Sequence, residues 1–126
     1  NNIAKKEADM DMFDGGVKVS MEEAVRIAEL TNIETCDGEE ASTNFGRWLR
    51  VYDACELGSE LEKKALTKMI RLADRDNTGK DRNRRIVKWQ TILVRVPSGS
   101  EEEKLASEKV IAELKRLKKE FKSEKV

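Results

Sequence analysis

Apolar residues recur at helical spacing along most of the chain, and three capping motifs mark where helices begin. Each motif has the form Ser-x-x-Glu: Ser20 with Glu23, Ser59 with Glu62, and Ser100 with Glu103. In such a box the serine hydroxyl accepts from the third helical N–H, and the glutamate side chain reaches back to the serine N–H. Because a periodic apolar stretch follows each box, the three boxes predict helices that begin near residues 21, 60 and 101.

The apolar spacing extends these starts into four helices, which we predict at about Met21–Thr31, Glu39–Leu57, Glu60–Asp74 and Glu101–Ser123. The second helix carries a stripe spaced 4-3-4-3, made of Ala41, Phe45, Trp48, Tyr52 and Cys55. Residues at this spacing lie on one face of a helix. The second helix is therefore predicted to form the centre of the core.

The last predicted helix is longer than a small domain needs, at about 35 Å. It opens with three glutamates and becomes rich in lysine, as the helix dipole favours. Its apolar residues fall 4-3-4 apart: Val110, Leu114, Leu117 and Phe121. These four are candidate partner-binding residues if the helix docks on another chain. The alternative is that they pack along this chain's own helices.

A different pattern occupies residues 85–96, where most apolar residues are β-branched or aromatic and polar residues are interleaved with them. This composition predicts an extended strand that ends at Pro97. A single strand has unpaired edges that need a partner. We expect it to pair with residues 17–19 or with the same strand of a second copy, which would make a homodimer.

These elements together predict a mainly α fold: about four helices, with one short strand or hairpin before a long C-terminal helix. A length of 126 residues argues for one domain. Residues 1–19 combine acidic and apolar side chains with the breaker Gly15-Gly16, and we expect a flexible acidic N-terminal segment there. Residues 20–126 then form a single helical domain.

The charge is unevenly distributed although the total is zero. Residues 1–62 hold six Lys/Arg and fifteen Asp/Glu, a net charge of −9, and residues 63–126 carry the opposite +9. Such asymmetry indicates a charged partner. Arginine pairs with phosphate and an exposed tryptophan stacks on bases. The candidate nucleic-acid-binding residues are Lys80, Arg82, Arg84, Arg85, Lys88, Trp89 and Arg95.

Several kinds of chemistry are not supported by the residues present. The chain has no histidine and only two cysteines, so it lacks the commonest general base and cannot close a four-ligand zinc site. Residues 74–79 resemble the start of an EF-hand calcium loop, but the ninth and twelfth positions are Arg82 and Arg85, which would repel a dication. We predict no enzyme activity, no metal and no cofactor.

The two cysteines, Cys36 and Cys55, also bear on the cellular setting. Two isolated cysteines are typical of a reducing compartment, so we expect free thiols and an intracellular protein, cytoplasmic or nuclear. A Cys36–Cys55 bridge is the alternative. No apolar run reaches the roughly 18 residues of a membrane span, so no membrane is expected.

The leading functional hypothesis is a non-enzymatic nucleic-acid-binding accessory protein, for RNA or DNA, that contacts phosphates through the basic segment 80–95. The alternative is an oligomeric protein-interaction or adaptor domain that binds an acidic protein surface by charge complementarity and uses its C-terminal helix. The two differ in the partner, and both follow from the same asymmetry of charge.

Overall fold

Five helices and a two-stranded hairpin make up the part of the chain that the computed structural model describes, residues 11–75 and 82–124. Helices hold 72% of that part and the last helix is the longest, which confirms the prediction of a mainly α fold with a long C-terminal helix. Contacts divide the chain into two compact units, Asn1–Leu72 and Ala73–Val126. Of the acidic segment predicted for residues 1–19, residues 1–10 lie outside the described part.

The first unit opens with an antiparallel hairpin of strands β1 (Asp11–Asp14) and β2 (Val17–Ser20). Asp14 pairs with Val17, so the turn consists of Gly15 and Gly16 alone, with φ of 60° and 86°. Two consecutive positive φ values define the type I′ turn, whose twist matches that of the strands. Glycine adopts them without a steric penalty.

Helix α1 (Met21–Glu29) follows β2 without a loop, because Ser20 both ends the strand and caps the helix. Its hydroxyl accepts from the backbone N–H of Glu23 at 3.1 Å. Helix α2 (Gly38–Ala54) is capped in the same way by Asp37, whose carboxylate accepts from the N–H of Glu40 at 2.7 Å. Each cap satisfies a donor that the first helical turn leaves without a partner.

Helix α2 supplies much of the buried surface of the first unit. Ala41, Phe45 and Trp48 are buried as predicted, whereas Tyr52 and Cys55 are only half-buried. Asn44, which the apolar spacing does not single out, is fully buried, and its side-chain amide donates to the carbonyl of Ala28 at 2.9 Å. That carbonyl lies in the last turn of α1, where no intrahelical N–H reaches it, so Asn44 joins the two helices by satisfying it.

The hairpin is held against α2 by two arginines. Arg47 pairs with the carboxylate of Asp14 at 2.7 Å, and Arg50 donates to the carbonyl of Phe13. An isolated two-stranded hairpin is marginal in water. These contacts, together with the burial of Met12, stabilise it on the helices.

Helix α3 (Glu60–Arg75) and helix α5 (Glu101–Glu124) begin at the predicted boxes. Ser59 and Ser100 accept from the N–H groups of Glu62 and Glu103, both at 3.1 Å. The hydrogen bonds of the two glutamate side chains differ from the prediction. They accept from the N–H groups of Gly58 and Gly99, and not from those of the serines. The glycine one residue earlier therefore completes each box.

The second unit is built mainly from α5 and helix α4 (Arg82–Leu93), a pair of helices joined by residues 94–100. Helix α4 occupies the segment for which a strand was predicted, so that prediction is wrong. Ile86, Trp89, Ile92 and Val96 are buried at spacings of 3-3-4, which is helical rather than alternating. Packing of this stripe against α5 overrides the β preference of its isoleucines and valines.

Candidate functional site

The residues predicted to bind nucleic acid do not form one exposed surface on α4. Lys80 lies outside the described residues, and of Arg82 the structure describes the backbone at the start of α4. Arg84 is exposed, while Lys88 is 4% exposed. Arg95 lies in the turn after α4 and donates to the carbonyl of Thr91 at 3.1 Å. Arg84, Lys88 and Arg95, whose side chains the structure describes, therefore do not form one exposed row of cations.

Trp89 is a core residue. Its side chain is 1% exposed, so its ring is not available for stacking on an unpaired base. The ammonium of Lys109, on α5, lies 5.8 Å from the ring centroid, within range of a cation–π contact. In the predicted strand, Trp89 could have faced either the core or the solvent. In the observed helix it faces the core.

Arg85 is engaged by a carboxylate of α5. Its guanidinium lies 3.1 Å from Glu113, which is itself buried. Glu113 also accepts from Arg116, and Arg116 reaches Glu120 at 3.2 Å. The hydrogen bond that Arg116 donates to Glu113 raises the pKa of Arg116, so that guanidinium stays charged. This network stabilises the α4–α5 pair and occupies the guanidinium of Arg85 that was expected to contact phosphate.

A cavity of about 370 Å³ lies beside this network, lined by Asp74, Arg85, Trp89, Lys109, Ala112 and Glu113. Its charged groups form two ion pairs, because Lys109 also lies 3.0 Å from Asp74. Cations and carboxylates are therefore equal in number on its wall. Such a lining has no surplus positive charge with which to attract a phosphate.

The predicted partner-binding residues of α5 separate into two sets. Val110 is buried and Leu117 is half-buried, whereas Leu114 is 52% and Phe121 is 58% exposed. The ion pair of Arg85 with Glu113 and the contact of Trp89 with Lys109 show that α4 and α5 run antiparallel. Because Arg85 lies near the first residue of α4 and pairs with Glu113, the last part of α5 extends beyond the start of α4.

The exposed residues of α5 form a continuous strip. Ile111, which the sequence analysis did not choose, is 52% exposed and lies on the same side as Leu114 and Phe121. Lys118 completes the 3-4-3 spacing, so we define the α5 strip as Ile111, Leu114, Lys118 and Phe121. Lys115 and Lys122 are exposed beside it. The α5 strip is thus an apolar surface among lysines.

The described residues show few features of a reactive centre. Within residues 11–75 and 82–124, no group of three or more His, Cys, Asp or Glu is placed to hold a metal ion. Cys36 is buried and Cys55 is half-buried, and no disulfide joins them. Among the described helices, none combines the length and the apolar composition of a membrane span.

Comparison with known proteins does not identify a family for this chain. No protein-family model, curated protein or solved structure matches the chain significantly. The features of the chain that bear on function are therefore the α5 strip and the basic residues.

Proposed function

We propose that the chain is a non-enzymatic protein-interaction domain whose α5 strip binds an amphipathic helical segment with acidic flanks. The observation that carries this proposal is the exposure of Ile111, Leu114 and Phe121 on one side of a long helix. An apolar helical face in contact with water is a usual docking surface for another helix. It corresponds to the protein-interaction alternative of the sequence analysis.

The charge around the α5 strip supports an acidic partner. Lys115, Lys118 and Lys122 are exposed on or beside it. Opposite charges at the edge of a helix–helix contact guide association and exclude partners of like charge. The lysine stems also extend the apolar contact, because their methylene groups pack while the ammonium stays in water.

Nucleic-acid binding through residues 80–95 remains a prediction, and fewer structural observations support it than support protein binding by the α5 strip. The burial of Trp89 removes base stacking, and the ion pair with Glu113 competes with phosphate for Arg85. Exposed lysines could still bind phosphates, and such binding would weaken steeply as salt is raised. The experiment below distinguishes the two partners.

The test uses calorimetry with the full chain and a synthetic helical peptide that carries leucines on one face and glutamates beside them. We expect binding that is lost when Leu114→Ser or Phe121→Ser interrupts the α5 strip. Phe13→Ser is a matched control, because Phe13 is 59% exposed in the first unit and its removal should leave binding intact. The same peptide with lysines in place of glutamates should bind at least tenfold more weakly.

Two kinds of result would oppose the proposal, one from the peptide experiment and one from nucleic-acid binding. The first is equal binding of the acidic and basic peptides, or equal loss of binding in the Phe13→Ser control. The second is salt-sensitive binding of a 20-nucleotide RNA or DNA that disappears in Arg82→Ala with Arg84→Ala but survives Leu114→Ser. That second pattern would assign the chain to the nucleic-acid class instead.

A further inference from the structure

We infer that the partner of the α5 strip is a second copy of this chain, whose α5 packs antiparallel against the first. This inference rests on the proposed function, because it uses the same surface and names its partner. The exposed charges beside the α5 strip supply the argument. They form a pattern that is complementary to itself when one helix is reversed.

Four exposed charged residues follow one another at intervals of seven: Glu101, Glu108, Lys115 and Lys122. We call them the flanking row. A seven-residue interval is about two helical turns, so the four side chains lie in a line. Glu108, Lys115 and Lys122 directly follow Ser107, Leu114 and Phe121, which lie on the face of α5 that carries the strip. The row therefore borders the strip along its length.

The order of charge in the flanking row is acidic and then basic. In an antiparallel helix pair the same row of each helix meets along one edge of the contact. Glu101 then faces Lys122 of the second copy, and Glu108 faces Lys115 of the second copy. A two-fold axis repeats both ion pairs, giving four. A parallel pair would instead bring the acidic starts together at one end and the lysine-rich ends together at the other.

The side chains between the rows fit the same arrangement. The side of α5 that carries the strip continues toward its start through Ser107 and Lys104. With the flanking rows matched, Ile111 of each copy lies opposite Leu114 of the other, which places the apolar contact at the centre. Phe121 lies opposite Lys104 of the second copy, whose stem and ammonium can cover the ring.

The expected complex is weak. Three apolar residues from each copy cover less surface than the roughly 1,200–2,000 Å² of a standard protein interface. We therefore expect a dimer that dissociates on dilution, with a dissociation constant of about 10 μM to 1 mM. Four exposed ion pairs add little affinity but select the antiparallel orientation.

The first experiment is sedimentation velocity of the full chain from about 10 μM to about 1 mM, a range set by the expected affinity. The average mass should rise from one protomer toward two. Leu114→Glu should keep the chain at one protomer, because each carboxylate would lie opposite the apolar Ile111 of the other copy at the centre of the contact. Circular dichroism should show an unchanged helix content, since Leu114 is exposed.

A charge-reversal experiment tests the orientation. One variant carries Glu101→Lys with Glu108→Lys, so its flanking row is entirely basic. The other carries Lys115→Glu with Lys122→Glu, so its row is entirely acidic. Each alone should be monomeric, and a one-to-one mixture should form a heterodimer. The control variant, Glu39→Lys with Glu40→Lys, changes the net charge by as much as the basic variant does, but on α2, where both residues are exposed. It should dimerise as the unmodified chain does.

The outcomes separate this inference from the proposed function. A wild-type chain that stays at one protomer at 1 mM overturns the second copy as partner, while binding of the acidic peptide would leave the proposed function standing. Self-association that neither charge-reversal variant changes also overturns it, because another surface would then be responsible. If the wild-type chain dimerises but does not bind the peptide, the general proposal fails and only the self-contact remains.

Discussion

The two longest helices of the described chain use their large apolar side chains in opposite ways. In α2, Phe45, Trp48 and Val51 are all buried. In α5, Val110 is buried, but Ile111, Leu114 and Phe121 are half exposed or more. Both helices are amphipathic, so amphipathicity alone does not distinguish a core helix from a binding helix. What distinguishes them is how much of the apolar face the chain itself covers.

Apolar residues therefore have different roles in the two helices: those of α2 stabilise the fold, and those of the α5 strip are available for association. Loss of an apolar group from α2 should reduce the stability of the fold, because its neighbours cannot fill the cavity. Loss of an equivalent group from the α5 strip should leave the fold unchanged and affect association alone.

The largest effect is expected for Trp48→Ala in α2. Trp48 is fully buried, and removal of a buried tryptophan typically costs about 3–5 kcal/mol of unfolding free energy. Urea denaturation followed by circular dichroism measures it. A loss below about 1 kcal/mol would mean that the α2 stripe is not the core of the first unit.

A smaller loss is expected for Glu113→Ala, which removes the buried carboxylate shared by Arg85 and Arg116. Both arginines are partly exposed, so water can replace the carboxylate, and we expect a loss of about 1–2 kcal/mol. Denaturation of the variant beside Glu124→Ala, at the end of α5, provides the measurement and its control. Equal stability of the two variants would show that the network contributes nothing.

The cap of α5 should contribute about 1 kcal/mol. Ser100→Ala removes the acceptor for the N–H of Glu103, whereas Ser100→Asp keeps an acceptor at that position. The alanine variant should unfold at lower urea than the aspartate variant. The reverse order would contradict the role of Ser100 as a helix cap.

A change of less than about 0.5 kcal/mol is expected for Leu114→Ser, because the side chain is already half exposed. The same variant should lose partner binding, so stability and association separate at this position. A loss of 2 kcal/mol or more would place Leu114 in the core and remove the contrast with α2.

The smallest effect concerns pH. The hydrogen bond from Arg26 lowers the pKa of Glu23, so this ion pair stabilises α1 at neutral pH and the contribution is lost as pH falls through that lowered pKa. Arg26→Ala should raise the pKa of Glu23 toward its ordinary value. Titration of the Glu23 carboxyl by NMR measures the change, and an unchanged midpoint would contradict it.

Local signals in the sequence predicted helix boundaries better than they predicted the segments between them. The boxes at Ser20, Ser59 and Ser100 located three helix starts, because capping depends on a few adjacent residues. The strand predicted for residues 85–96 was wrong, because contacts with α5 decide the conformation there. The turn at Gly15-Gly16 was interpreted as a break, although two glycines between strands are also typical of a type I′ hairpin.

The candidate site was only partly predictable for a related reason. The 4-3-4 spacing grouped Val110 and Leu117 with Leu114 and Phe121, but it contained no information about where α4 would cover the helix. The inward position of Trp89 likewise depended on its being helical. Which side of α5 is buried depends on how α4 packs against it. The spacing of apolar residues along α5 does not contain that information.

The distribution of tryptophan has a practical consequence. The chain has two tryptophans, and one lies fully buried in each unit, Trp48 in the first and Trp89 in the second. Replacement of either by phenylalanine leaves a single tryptophan, whose emission reports one unit and shifts to the red when water reaches the ring. Two such variants would show whether the units melt together at one temperature or separately at two.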